Sequence, residues 1–211
     1  MGIQERKQRE KERRRQQIMV AAKKIFSLKG LNKATMEDIA HEAELSPGTL
    51  YLYFKNKDEL HASLSLRVLQ YLLIRLEHID SEFATVPEKR IAALKDVLFD
   101  VYTFDPLILL NMFHIQSGET VKNLSPELLE EIQGLSDRAL GAIANMFQSG
   151  VENGIFKEGP AETFADIVWA LFSGIILIER QKQPGRDEKT FVRSTLDAGF
   201  DILLRGIRKS A

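Results

Sequence analysis

The chain has 211 residues, 44% of them hydrophobic and 28% charged, and no cysteine. That composition fits one large or two modest globular domains, and it excludes a disulfide framework, a thiolate nucleophile and a cysteine metal site. The net charge of −1 averages a basic head and an acidic body: residues 1–60 hold 13 Lys and Arg against 9 Asp and Glu (+4), and the remainder 16 against 21 (−5).

Helical periodicity runs throughout, with no convincing alternating strand segment, and predicts an all-α fold of about nine helices. The first helix is expected from about Arg13, or earlier, to Lys29, with Ile18, Ala22, Ile25 and Phe26 on one face and Gly30 as its left-handed cap. Thr35 and Asp38 have capping-box spacing and open a second helix that turns Ile39, Ala40 and Ala43 inward. Ser46 is an N-cap and Pro47 a first-position proline, so a short third helix is expected over about 47–54. Asn56 and Glu59 form another capping pair and open a long fourth helix to about Asp80. Further helices are expected near 87–103, 106–117, 126–153, 161–182 and 187–208, two of them opened by Asp105-Pro106 and Ser125-Pro126. The change from mixed and basic to longer and more apolar helices sets a boundary at residue 60, giving domains 1–60 and 61–211.

No clean apolar run reaches the roughly 18–20 residues of a membrane span; the longest is Ile167–Ile178. There is no apolar N-terminal signal region, and Arg6 stands where a myristoylation motif needs Ser or Thr. The expectation is a cytoplasmic chain with no membrane partner and no cofactor or metal.

Three short helices with about three residues between the second and third describe a helix-turn-helix, in which the third helix enters the DNA major groove. Leu50 and Phe54, four apart, anchor that helix, leaving Pro47, Gly48, Thr49, Tyr51, Leu52 and Tyr53 more exposed. Gly48 lets backbone approach a base or phosphate, the hydroxyls of Thr49, Tyr51 and Tyr53 are phosphate donors, and the Tyr51 ring can meet a thymine methyl. Lys57 opposes the dipole of the helix it opens, a placement that makes sense beside an anion. The N-terminal run "ERKQREKERRRQQ" reads either as a solvated helical extension with pairs such as Glu5–Arg9 and Glu10–Arg14, or as a basic arm that adds phosphate affinity, with Arg13, Arg14 and Arg15 nearest the folded domain.

The run "IFSLKGLNKATMEDIAHEAELSPGTLYLYFKNKDEL", Ile25 to Leu60, resembles the DNA-binding domain of the tetracycline-repressor (TetR) family. The matching features are the Phe and Gly ending helix one, the Thr opening helix two, its Ile-Ala, the Ser-x-Gly-Thr-Leu-Tyr-x-Tyr-Phe recognition helix and the Lys-Asp/Glu-x-Leu after it. The resemblance implies that Pro47, Gly48 and Tyr51 approach bases and that Thr35, Thr49, Tyr53 and Lys57 contact phosphates. One departure is Glu44, in a turn position where the family usually has glycine. If that position needs positive φ, glutamate strains it by roughly 1 kcal/mol or more. Glu44 and the nearby Glu37 either repel DNA or point to solvent.

For the remainder the resemblance implies a ligand-binding and dimerisation domain, and the function implied is a regulator, a repressor binding a palindromic operator as a homodimer and released by a small hydrophobic or amphipathic effector. The last two helices carry more apolar surface than one face needs: Phe164, Val168, Leu171, Ile175 and Ile178 on one, Phe191, Leu196, Phe200 and Leu203 on the other. Ala198 is among the small residues that permit close approach. Pairing such helices across a twofold axis makes a four-helix interface. Candidate effector-lining residues are Tyr102, Phe104, Met112, Phe113, His114, Gln116, Phe147, Trp169 and Phe172, although an aromatic and methionine stripe is more often plain core. Two other readings compete. A helical carrier or adaptor shares the pocket and lacks the DNA contacts. An all-α enzyme would use Asp96 and Asp100, four apart on one helix face, but no His or third carboxylate sits at ligand spacing.

Overall fold

The computed structural model describes residues 2–83, 85–116, 119–179 and 188–209. Among these are nine α-helices: α1 Ile3–Lys29, α2 Met36–Glu42, α3 Pro47–Tyr51, α4 Lys57–Glu82, α5 Pro87–Phe104, α6 Pro106–Gln116, α7 Pro126–Glu152, α8 Ala161–Glu179 and α9 Glu188–Ile207. A 3₁₀ turn over Glu119–Asn123 lies between α6 and α7, within a stretch that the sequence reads only as a connection. The expected continuation of the eighth helix to residue 182 lies outside the described residues.

The chain forms two compact units. The first holds residues 1–65 and a returning segment, 115–129; the second holds 66–114 and 130–211. The returning segment falls within the stretch that the boundary at residue 60 assigns to the second domain. Its tie to the first unit is polar and local. Asn56 donates to the Asn123 carbonyl at 3.0 Å, and the Asn123 amide donates to the Asp58 carboxylate at 2.8 Å.

The first unit is built around Ile18, Ala22, Phe26, Ile39, Ala40, Leu50, Phe54 and Leu60, all essentially without solvent exposure. Each large side chain buried this way contributes about 1.5–3 kcal/mol, and together they seat the five-residue α3, too short to persist alone. α1 and α2 run antiparallel, as their cross-links show: Lys29 pairs with Asp38 at 2.7 Å, Lys24 with Glu42 at 2.6 Å, and the Gln17 amide donates to the Ala43 carbonyl at 2.8 Å. Gly30 ends α1 with φ 76° and ψ 158°, an extended positive-φ conformation in place of the expected left-handed helical one. Its N–H still satisfies the Phe26 carbonyl.

In the second unit, α9 packs on α5 and α8. Gly199 makes the α8–α9 approach possible, since a Cβ there would lie 2.7 Å from a Leu171 methyl. Gly150 does the same for the Phe156 ring, which would stand 2.2 Å from an added Cβ. The C-terminal end is tied to the loop after α7 by two backbone bonds, Lys157 N–H to Ile207 at 2.7 Å and Lys209 N–H to Ile155 at 3.0 Å. That short β-type bridge is not visible in the sequence pattern.

The segment Ala161–Ile178 of α8 is long and apolar enough, by length and composition, to cross a membrane, with mean hydropathy 1.7 and one third of it buried. The window is a mixed one and longer than the clean apolar run, which remains Ile167–Ile178. The run Ile167–Ile178 undercounts it because Glu162 and Asp166 interrupt the apolar residues without ending the helix.

Candidate nucleic-acid interface and effector region

Local chemistry positions the helix-turn-helix. Thr35 accepts from the Asp38 N–H at 3.1 Å while Asp38 accepts from the Thr35 N–H, a complete capping box. The Lys29 ammonium and then the Thr35 N–H hold the Asp38 carboxyl below its ordinary range. The turn after α2 closes as a Schellman motif: the Glu44 N–H bonds the His41 carbonyl and the Leu45 N–H the Ala40 carbonyl. Glu44 occupies the left-handed position with φ 55°, alone among described non-glycine residues, and its side chain is exposed.

Ser46 then caps α3, accepting from the Thr49 N–H at 3.1 Å, with Pro47 in the first turn. The helical stretch is shorter than expected. After Tyr51 the chain continues as tight turns, with the Tyr53 and Phe54 N–H groups both bonding the Leu50 carbonyl. Pro47 and Gly48 are exposed, Thr49 and Tyr53 half-buried, Tyr51 47% exposed and Leu52 81% exposed. A Cβ on Gly48 would meet only the Ser46 hydroxyl, at 3.9 Å. The fold therefore has room for alanine there, and the protein itself imposes no need for glycine.

The Asn56 side chain caps α4 by accepting from the Glu59 N–H at 2.7 Å, while Glu59 reaches back to the Lys55 N–H at 2.7 Å. Lys57 donates to the carbonyls of Ala34 at 3.1 Å and Asn32 at 3.4 Å. Those carbonyls already offset its unfavourable place at a helix start, so an anion is not needed to explain it. An ammonium has three donors, so a third N–H is left, and the bond to Ala34 sets Lys57 beside Thr35.

The N-terminal arginines differ from one another. The Arg15 guanidinium lies 4.8 Å from the Phe54 ring centroid and donates to the Ser63 hydroxyl at 3.1 Å. It braces the recognition helix from inside, worth on the order of 1 kcal/mol. Arg14 donates to Gln17, in place of the expected Glu10 partner, and Arg13 is exposed. His61, which sequence reasoning did not single out, is fully buried edge-on to Phe26, and neither ring nitrogen has a hydrogen-bond partner. Burial pushes its pKa down to about 4, against the nearby Asp58 charge and with that of Lys57.

In the second unit the candidate effector residues fall into separate groups. Phe113, Trp169 and Phe172 form one aromatic cluster, with centroids 5.6–6.1 Å apart. Phe147 belongs to another, with Phe156 and Phe164. Tyr102 is buried near Phe99, and Phe104 stacks on Tyr71 at 4.3 Å. Met112 is buried; the side chains of His114 and Gln116 lie outside the described residues. Asp96 and Asp100 do not share a site: Asp96 pairs with Arg193 and Asp100 with Arg75. Among the described residues no group of three or more His, Asp or Glu is placed to hold a metal.

The expected dimer residues also divide. Val168, Ile175, Leu196 and Phe200 are buried within their own chain, so they cannot be a partner's surface. Phe164, Leu171, Phe191 and Leu203 are half-buried, and Ala198 and Ile178 are exposed. Sequence reasoning missed Ile167, 45% exposed, and Ile202, 72% exposed. The apolar face left uncovered is thus displaced around α8 and α9 from the expected one.

Residues 18–64 match the family model of bacterial regulatory proteins of the tetR family. An uncharacterized helix-turn-helix transcriptional regulator of Haemophilus influenzae is 32% identical over 109 residues, 52% of this chain and 58% of that relative, so the match spans little more than half the relative's length. The solved tetR-family regulator PfmR of Thermus thermophilus superposes with a TM-score of 0.72 at 24% identity, covering 91% of this chain and 99% of that one. FadR of the same species, a tetR-family transcriptional repressor solved with lauroyl-CoA, superposes at 0.66 with 20% identity over 93% and 96% of the two chains. At these identities the solved structures speak for the fold. By sequence in its helix-turn-helix and by fold along nearly its whole length, the chain resembles the tetR family of bacterial transcriptional regulators.

Proposed function

We propose that the chain is a one-component transcriptional repressor. It binds a palindromic DNA operator as a homodimer and is released by a small apolar or amphipathic effector. The observation that carries this is the exposed helix-turn-helix edge: Pro47, Gly48, Tyr51 and Leu52 stand outward while Leu50 and Phe54 anchor the same turns inward. Gly48, Tyr51 and Pro47 read bases. Thr35, Thr49, Tyr53 and the free donor of Lys57 hold phosphates, the Thr35 hydroxyl donating outward while it accepts from Asp38. Arg13 and Arg14 add affinity from the arm. One short helix reads few base pairs, so two half-sites and a dimer are required.

Residues 1–60 make the DNA-binding domain, joined in its compact unit by 61–65 and 115–129, and the rest of 61–211 makes the effector and dimerisation domain. The dimer face is the exposed apolar surface of α8 and α9, with Ile167, Ile178 and Ile202 at its centre, and it accounts for the apolar composition of α8 without a membrane. The effector enters beside Phe113, Trp169 and Phe172. A long-chain acyl thioester is the first class to try, since a similarly folded repressor was solved with lauroyl-CoA. Effector binding favours a conformer whose recognition helices no longer match the half-site spacing, and coupling of about 1–3 kcal/mol gives 5–150-fold release. The site is a binding site, not a catalytic one.

The test is equilibrium binding of the full chain to a duplex it selects from a random pool, with and without an acyl-CoA series. Specific binding weakened by one chain-length range supports the reading. Equal binding to selected and scrambled duplexes overturns it.

A further inference from the structure

We infer that one cationic row on the N-terminal stretch of α1, Lys7, Lys11 and Arg14, lies along the phosphate backbone of DNA flanking the half-site. The inference rests on the DNA-binding reading above and extends its arm contact from Arg14 outward along one row to Lys7 and Lys11.

α1 begins at Ile3, about ten residues before the expected start, and its polar stretch Gln4–Arg13 is exposed. Residues 3–17 contain seven Lys and Arg and three Glu, a balance of +4. A helix polar all round has no burial to hold it, and an isolated stretch of this length is marginal in water. Its cations form two rows: Arg6, Arg9 and Arg13, at spacings of three and four, lie on the far side, and Lys7, Lys11 and Arg14 on the near one. Lys7, Lys11 and Arg14 fall at spacings of four and three, on the row that continues through buried Ile18 and Ile25. Glu5 and Glu12, seven apart, share a row on the other side, and Glu10 is on a flank. The two distant acids are occupied locally, Glu5 accepting from the Gly2 N–H and Glu12 from the Gln16 amide. Lys7 and Lys11 have no hydrogen bond or ion pair among the described residues, and a like-charged pair four apart is unfavourable by a few tenths of a kcal/mol without an anion.

The direction of the helix supplies the second argument. Stepping from Lys29 to Lys24 to Gln17 moves along α2 from Asp38 to Glu42 to Ala43. The N-terminus of α1 therefore leaves the unit on the side of the α2–α3 turn, and Arg15 is pinned there on Phe54, at the end of the recognition segment. From Lys7 to Arg14 the stripe advances about 10 Å at 1.5 Å per residue, one cation per turn, beginning where the recognition helix ends. The occupant this geometry fits is a nucleic-acid backbone, whose phosphates repeat along one edge. An anionic lipid surface is the competing occupant, and nothing apolar on the stripe between Gln4 and Arg14 supports it.

The experiment uses the full chain and its Lys7→Ala/Lys11→Ala/Arg14→Ala variant. Each is titrated onto the selected operator in a short duplex and in one longer by about five base pairs at each end, across a salt series. Wild type is expected to bind the longer duplex more tightly. The variant is expected to lose that gain and to lower the salt slope by about 0.9 per cation removed, about 5 for a dimer, with base preference unchanged. A Lys7→Arg/Lys11→Arg variant keeps the wild-type slope and length dependence, which separates charge from folding. A triple variant with the wild-type slope and length gain overturns the inference. So does a triple variant that loses only its affinity for phosphatidylserine vesicles. If wild type itself shows no specific DNA binding, the underlying reading falls first, and the two failures are told apart by that wild-type measurement.

Discussion

Glu44 sits at φ 55° in a Schellman turn that two backbone bonds lock in place. A side chain there clashes with the following carbonyl, a cost of about 1 kcal/mol that glycine avoids. Glu44→Gly is expected to stabilise the chain by about 1 kcal/mol in urea unfolding; unchanged or lowered stability would mean that the turn carries no strain. His61 makes the opposite kind of residue-level prediction. With its folded pKa pushed down to about 4 from 6.5, it stays neutral in the fold while the unfolded chain takes up a proton below pH 6.5. Its contribution is therefore intact above pH 6.5 and lost as pH falls toward 4, a loss on the order of 2–3 kcal/mol near pH 4.5. Since neither nitrogen is paired, His61→Leu is expected to cost nothing at pH 7 and to remove that part of the acid-side loss. Parallel pH profiles of wild type and variant would contradict this.

At the scale of elements, α3 shows what a sequence can and cannot disclose. Its cap, first-position proline and two anchors are local, so Ser46, Pro47, Leu50 and Phe54 were legible from spacing alone. Its length was not, because Phe54 is held by tertiary burial and Arg15 after the regular helix has ended. Lys57 was legible as an odd cation, but its partners are carbonyls more than twenty residues away, which no local pattern reveals. The early start of α1 follows from an unbroken run of good helix formers, and only the charge, not the end point, could be read from it. Gly48 separates fold from function within α3. Because an added Cβ meets only Ser46 at 3.9 Å, Gly48→Ala is expected to leave the unfolding free energy within about 0.5 kcal/mol of wild type and to weaken specific DNA binding at least tenfold by holding the backbone off the groove. A destabilised variant, or one with full affinity, contradicts that division of labour.

For the whole molecule the assembly matters most. Periodicity in α8 and α9 identified apolar rows but could not say which row faces the chain's own core, since α8 is apolar nearly all round. The structure places Val168, Ile175, Leu196 and Phe200 inside and leaves Ile167, Ile178 and Ile202 outside. Ile202→Glu is accordingly expected to halve the solution mass in sedimentation and to abolish operator binding while the monomer stays folded; an unchanged mass would move the dimer face elsewhere. The central claim, that the α2–α4 edge reads DNA, is tested most directly by the salt dependence and base preference of operator binding in two variants. Lys57→Ala is predicted to weaken all sequences alike and to reduce the salt slope by about 1 per protomer, whereas Tyr51→Ala is predicted to relax base preference at one position of each half-site with the slope unchanged. Wild-type slopes and preferences in both variants would contradict it.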